Sequence, residues 1–182
     1  MEELEDFSEK IHEQSNEHAH HMLKEGKETW VLFVALSTAV IAVLAAITGL
    51  MAGANADEAM LSQIRASDQW AYYQAKGIKS EVINSTSKIL LSLGKPPIQA
   101  DVEKIADNKK EQTNIKKEAE AFQKESEMHS FKHGIFARGV TLFQISIAIG
   151  AISIIVKRRS LWLVSMGFAC VGIYFFLQGL FF

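Results

Sequence analysis

Residues 29–53, 134–156 and 161–182 are three apolar runs, each long enough to cross a bilayer, since about 20 apolar residues span the roughly 30 Å of hydrocarbon. None of the three carries an acidic residue or a lysine. Their one arginine, Arg138, lies near enough to a span end for its guanidinium to snorkel toward headgroups. Backbone polar groups in lipid must be paired within the segment, so each run is expected to be helical. The chain reads as an all-α integral membrane protein with three transmembrane helices and a long extramembrane segment, residues 54–133, between the first and second. Residues 1–28 form a polar, acidic, His-containing tail. A cleaved signal peptide would start basic and carry a shorter apolar run, so the first span is expected to be retained.

Orientation follows from positive charge in short loops. The second and third spans are separated only by residues 157–160, which hold Lys157, Arg158 and Arg159. This basic loop is expected in the cytoplasm, with the N-terminus on the same side and the 54–133 segment and C-terminus outside, across a bacterial inner membrane. Lys24 and Lys27 before the first span agree, as do Trp30 and Trp162, aromatic anchors for the inner interface.

The 54–133 segment contains twelve Lys and Arg and twelve Asp and Glu, so it offers no basic face for nucleic acid. Its apolar residues follow a helical period: Leu61, Ile64, Ala71, Ala75, Ile78, Val82 and Ile89, interrupted by Asp68 and Ser85. Gly94, Pro96 and Pro97 then stop the helix, because glycine suits a C-cap and proline cannot continue it. A second helix is expected to start near Pro97 and run into the second span. The two arms form a coiled-coil-like antiparallel hairpin, turning near 94–98 and up to about 60 Å long. The descending arm carries Val102, Ile105, Ile115, Ala119 and Phe122, but Lys109 and Gln112 stand where apolar residues are wanted. That imbalance predicts self-association, or an envelope protein partner, covering the ascending arm. Asn55, three residues before Glu58, resembles a capping box at which the helix could restart at a new angle.

The ascending arm contains the most distinctive string, Ala66-Ser67-Asp68-Gln69-Trp70-Ala71-Tyr72-Tyr73-Gln74-Ala75-Lys76-Gly77. With a His-rich polar N-terminus and paired apolar segments at the C-terminus, it resembles a bacterial membrane-protein family known only as domain of unknown function 4337. The resemblance covers most of the chain and implies no activity. In physical terms Ser67, Ala71 and Ala75 permit close helix approach, while Trp70, Tyr72 and Tyr73 supply large anchors; the string reads as a packing motif or, alternatively, an aromatic ligand surface.

Small residues also line the spans. Gly49 and Gly53 form a GxxxG pair, and Ser146 with Gly150 repeats the spacing, which suits helix packing within one chain and between chains equally. Gln144 and Gln178 read as interhelical hydrogen-bonding groups or, in an oligomeric channel, as pore-lining ones.

Glu125, His129 and His133 recur every four residues and share a helical face. Two imidazoles and a carboxylate can ligate a divalent transition metal such as zinc, but solvated or headgroup-facing histidines are the favoured account of this spacing, and no cofactor is otherwise expected. A second cluster, His12, Glu13, Glu17, His18, His20 and His21, reads as a polar juxtamembrane tail. The sole cysteine, Cys170, sits inside a span and excludes an intrachain disulfide. With no phosphate loop, serine elbow or HExxH, and no ionisable residue at mid-membrane, neither an enzyme nor a proton-coupled transporter is expected. The leading expectation is a non-enzymatic, homo-oligomeric membrane scaffold; the alternatives are an oligomeric channel and a metal- or pH-responsive sensor.

Overall fold

The computed structural model describes residues 29–181, together with Lys10 and Glu13. Among these residues there are three α-helices and no strand: α1 (Thr29–Ser92, 64 residues), α2 (Gln99–Val156, 58 residues) and α3 (Arg159–Phe181, 23 residues). Each contains a window long and apolar enough to cross a membrane. The helix does not restart at Asn55: α1 is continuous there, and the Asn55 amide donates back to the Met51 carbonyl at 2.9 Å, bonding its own preceding turn instead of capping a new helix.

Both reversals of the chain use the same hydrogen-bonded termination. After α1, Lys95 N–H donates to the Leu90 carbonyl at 2.9 Å and Gly94 N–H to that of Leu91 at 3.0 Å, with Gly94 at φ 71°. After α2, Arg158 N–H donates to Ser153 at 3.1 Å and Lys157 N–H to Ile154 at 3.2 Å, with Lys157 at φ 54°. These are Schellman motifs, which need a left-handed residue at their pivot. Glycine adopts that conformation freely, whereas a lysine there costs about 1–2 kcal/mol. Pro96 and Pro97 keep the segment between α1 and α2 extended. The Ile98 carbonyl then accepts the N–H groups of Asp101 and Val102, and Asp101 sits in the first turn of α2, where the helix dipole favours a carboxylate.

Internal contacts divide the described chain into two compact units, one being Ala56–Ser130 and the other the remainder. In the remainder, parts of all three helices pack together. Val31, Val34 and Ile154 form one buried cluster, joined by Trp30, Ala35 and Trp162; Ile41, Phe143, Ile147 and Ala169 form another, joined by Leu44, Met166 and Phe176 among others.

In Ala56–Ser130 the later part of α1 runs antiparallel to the earlier part of α2. Ser126 donates to the Ala59 carbonyl at 2.8 Å, Arg65 lies over the Phe122 ring, Gln112 donates to the Tyr73 carbonyl at 3.0 Å, and Lys76 pairs with Glu111. The seam follows 3-4 spacing on both sides, through Ser62, Ala66, Tyr73, Lys76, Ser80 and Ser87 on α1 and through Asn108, Gln112, Ile115, Ala119, Phe122 and Ser126 on α2. On α2 the seam keeps Ile115, Ala119 and Phe122 of the apolar stripe, but on α1 it is not the stripe that apolar periodicity selects. Leu61, Ile64, Ile78, Val82 and Ile89 are 41–66% exposed, and Ala71 and Ala75 are exposed with them. The stripe lies two residues further along the helix, about 200° around its axis from the seam. Small residues explain the choice: Ser62, Ala66 and Ala119 are at most 1% exposed, which marks a close approach that bulky aliphatics would hold apart.

Candidate functional site

The most elaborate side-chain constructions lie where α2 meets α1 and α3. Ser146 donates to the Ser165 carbonyl at 2.7 Å, Ser165 donates to the Ser146 carbonyl at 2.7 Å, and the two hydroxyls stand 3.0 Å apart, all fully buried. Four residues on, Gly150 completes the junction: a Cβ there would lie 2.6 Å from Thr38 Cγ2 and 3.3 Å from Ser165 Oγ. Two further glycines, both on α3, receive phenyl rings of α2. A Cβ on Gly172 would stand 2.8 Å from Phe143, and one on Gly179 would stand 2.6 Å from Phe136. Thus Ser146 and Gly150, singled out by spacing, pack within the chain. Their partner Ser165, and the glycines Gly172 and Gly179 that receive Phe143 and Phe136, were missed, although their spacing with Ala169 carries the same small-residue signal.

Other hydroxyls in this unit bond their own helices. Thr38 donates to Val34 and Thr48 to Leu44, so neither needs a partner across the contact. The Gly49–Gly53 pair is different: a Cβ on Gly49 would meet only Val140 at 4.0 Å, and one on Gly53 would meet nothing within 4 Å. Gln144 and Gln178 are half-buried, and among the described residues neither amide finds a hydrogen-bond partner.

The anchor residues gather at one end of this unit. Trp30 and Trp162 join the same apolar cluster, the Arg159 guanidinium lies 5.7 Å from the Trp30 ring centroid, and the Trp162 indole donates to Ser37 at 3.1 Å. Lys157 is exposed at the turn, and Arg158 and Arg159 follow it.

In Ala56–Ser130 the aromatic string divides between two faces. Trp70 and Tyr73 are half-buried and meet edge to face at 5.6 Å, whereas Ser67, Ala71, Tyr72 and Ala75 are exposed, so Tyr72 is not a packing anchor within this unit. Gln112 enters the seam in the notch that Gly77 leaves, where a Cβ would stand 2.9 Å from the amide nitrogen. Lys76 donates to Glu111 and lies over the Tyr72 ring, and the Glu111 bond above all holds its ammonium above the ordinary lysine range. Ser62, Gln69, Ser80, Ser87 and Asn108 each keep a buried polar atom without a protein partner, so this seam has little apolar drive of its own.

The histidines take separate roles. His133 Nδ1 donates to the Ala52 carbonyl at 2.9 Å, and Glu125 and His129 are half-buried in Ala56–Ser130. Among the described residues no group of three or more His, Cys, Asp or Glu comes together as a metal site. Of the N-terminal cluster, His12, Glu17, His18, His20 and His21 lie outside the described residues, and Glu13 is exposed.

These features define an all-helical protein with three helices apolar enough to span a membrane and a paired helical unit rich in charge. The chain belongs to the family described as Domain of unknown function (DUF4337), whose model matches residues 30–182. No curated protein and no solved structure matches it.

Proposed function

We propose that the protein is a non-enzymatic, self-associating scaffold of a bacterial inner membrane. Its three apolar helical stretches cross the bilayer, and Ala56–Ser130 projects as a helical hairpin on the outer side. The N-terminal tail and the 157–160 turn face the cytoplasm; the hairpin and C-terminus face outward. The observation that carries this reading is the division of labour on α1: the seam that closes the unit is small and polar, while a separate apolar stripe is left for another protein. The Trp30, Trp162 and Arg159 grouping supports a headgroup interface at this end of the unit, and the sidedness rests on Lys157, Arg158 and Arg159 in the short turn beside it.

Two measurements test it. In a Cys170→Ala background, an impermeant maleimide added to intact cells is expected to label K95C and to spare S160C; the reverse pattern would invert the topology. In gentle detergent, light scattering is expected to give a mass of at least two copies, and a monomer at every concentration would exclude the scaffold.

A further inference from the structure

From Leu61 to Ile89 the exposed stripe of α1 keeps strict 3-4 spacing, with polar residues only at Asp68 and Ser85. On a straight helix a seven-residue repeat drifts about 20° per heptad, so a stripe this regular holds one face only along a supercoiled helix. The seam with α2 keeps the same repeat on the opposite face, from Ser62 to Ser87, and winds α1 to suit it. Nothing on α2 matches the stripe. Between Glu103 and Glu127 that helix exposes no large hydrophobic side chain, and its outer face is mostly lysine and glutamate. Among the described residues, only α1 of another copy offers the stripe an apolar face of equal length.

In the proposed membrane setting, copies share one bilayer and one orientation. Because α1 is a single helix from its apolar span to Ser92, two copies stand with their α1 segments parallel and at equal height. Each stripe residue then meets its own counterpart, as in a parallel coiled coil: Ile64 on Ile64, Ala71 on Ala71, Ile78 on Ile78 and Val82 on Val82. Flanking positions set Gln74 beside Lys79 and Glu81 beside Thr86 of the other copy, so no like charges face one another there. Asp68 on Asp68 is the one repulsive layer, and it limits the strength of the contact. The exposed apolar side chains amount to roughly 600–800 Å² per chain, near the ~800 Å² per partner of a standard interface.

We propose that this stripe is the contact surface for a second copy of the chain, the two α1 segments running parallel and in register about an axis along the membrane normal. The proposal rests on the self-associating reading but goes further, since membrane helices alone can join copies and leave the stripe bare.

Full-length chains in a Cys170→Ala background are treated in their native membranes with a short thiol-to-thiol linker, and their mass is read by light scattering after extraction in gentle detergent. A71C alone is expected to give a linked dimer, and K117C, on the exposed face of α2, at least about tenfold less. When A71C is co-expressed with a differently tagged V82C, each is expected to link to its own kind and not to the other, because the two positions lie about 16 Å apart along a shared register. Adding Ile78→Asp to A71C is expected to cut the yield at least about tenfold, with helicity by circular dichroism unchanged because Ile78 is exposed in the single chain. A mixed A71C–V82C product, or equal linking from K117C, would overturn the parallel contact. No linking of A71C in a sample that still scatters as an oligomer would overturn the stripe as the contact and leave the scaffold standing, whereas a monomer throughout would remove both.

Discussion

Ser146 and Ser165 hold each other by exchanging hydrogen bonds, each hydroxyl donating to the other's backbone carbonyl at 2.7 Å. Losing one hydroxyl strands little, because the carbonyls keep their own helical partners. A double-mutant cycle of Ser146→Ala and Ser165→Ala in detergent unfolding is expected to give a coupling of about 0.5–1.7 kcal/mol, the range of buried hydrogen bonds between membrane helices.

Gly150→Ala places a methyl 2.6 Å from Thr38 Cγ2, a short β-branched side chain that is itself buried. The variant is expected to lose about 1–3 kcal/mol, the usual cost of overpacking. Gly53→Ala meets open space and is expected to lose nothing, so the pair of thermal melts separates steric cost from the chemistry of the exchange.

Lys157 occupies the left-handed pivot after α2. Lys157→Gly is expected to stabilise the folded protein by about 1 kcal/mol through relief of that backbone. Unfolding measured in detergent, where membrane orientation is not at stake, checks it.

Gly77 and Gln112 are expected to be non-additive. With Gln112 present, Gly77→Ala forces the amide out of its notch and weakens the bond to the Tyr73 carbonyl. In a Gln112→Ala background the same change keeps only the helical gain, roughly 0.5–1 kcal/mol. Comparing the two melts gives the coupling directly.

Lys76 provides a pH signature. Its ammonium is held above the ordinary lysine range, chiefly by the bond to Glu111, so the folded state binds this proton more tightly than the unfolded chain does. The resulting stabilisation is fully present below the unfolded lysine pKa and disappears as pH rises through the folded one. The stability difference between the parent and Glu111→Gln is therefore expected at neutral pH and to vanish above the lysine range; a difference unchanged at high pH would assign the pair no ionic role.

The apolar runs and the Gly94, Pro96 and Pro97 break made the three helices legible, because burial demand and backbone restriction act locally. The seam was legible on α2, where Ile115, Ala119 and Phe122 line it, but not on α1. Periodicity registers apolar side chains, and Leu61, Ile64, Ile78, Val82 and Ile89 form the stronger pattern, yet α2 packs along Ser62, Ala66, Ser80 and Ser87. Gln112, which looked like a defect in an apolar stripe, pairs with the Tyr73 carbonyl in the notch left by Gly77, a role that apolar spacing does not register. Ser146 and Gly150 were readable as small residues; that Ser165 answers Ser146 depends on how α3 returns along α2, which no local pattern encodes.

The left-handed Lys157 also bears on timing. Its backbone cost is felt only once α2 has ended and α3 has folded back beside it. Its charge, like those of Arg158 and Arg159, acts as soon as the turn leaves the ribosome and meets a membrane surface. In the proposed membrane setting, a residue that suits the finished turn less well than glycine serves the earlier step, when the chain is choosing a side and has no fold to strain.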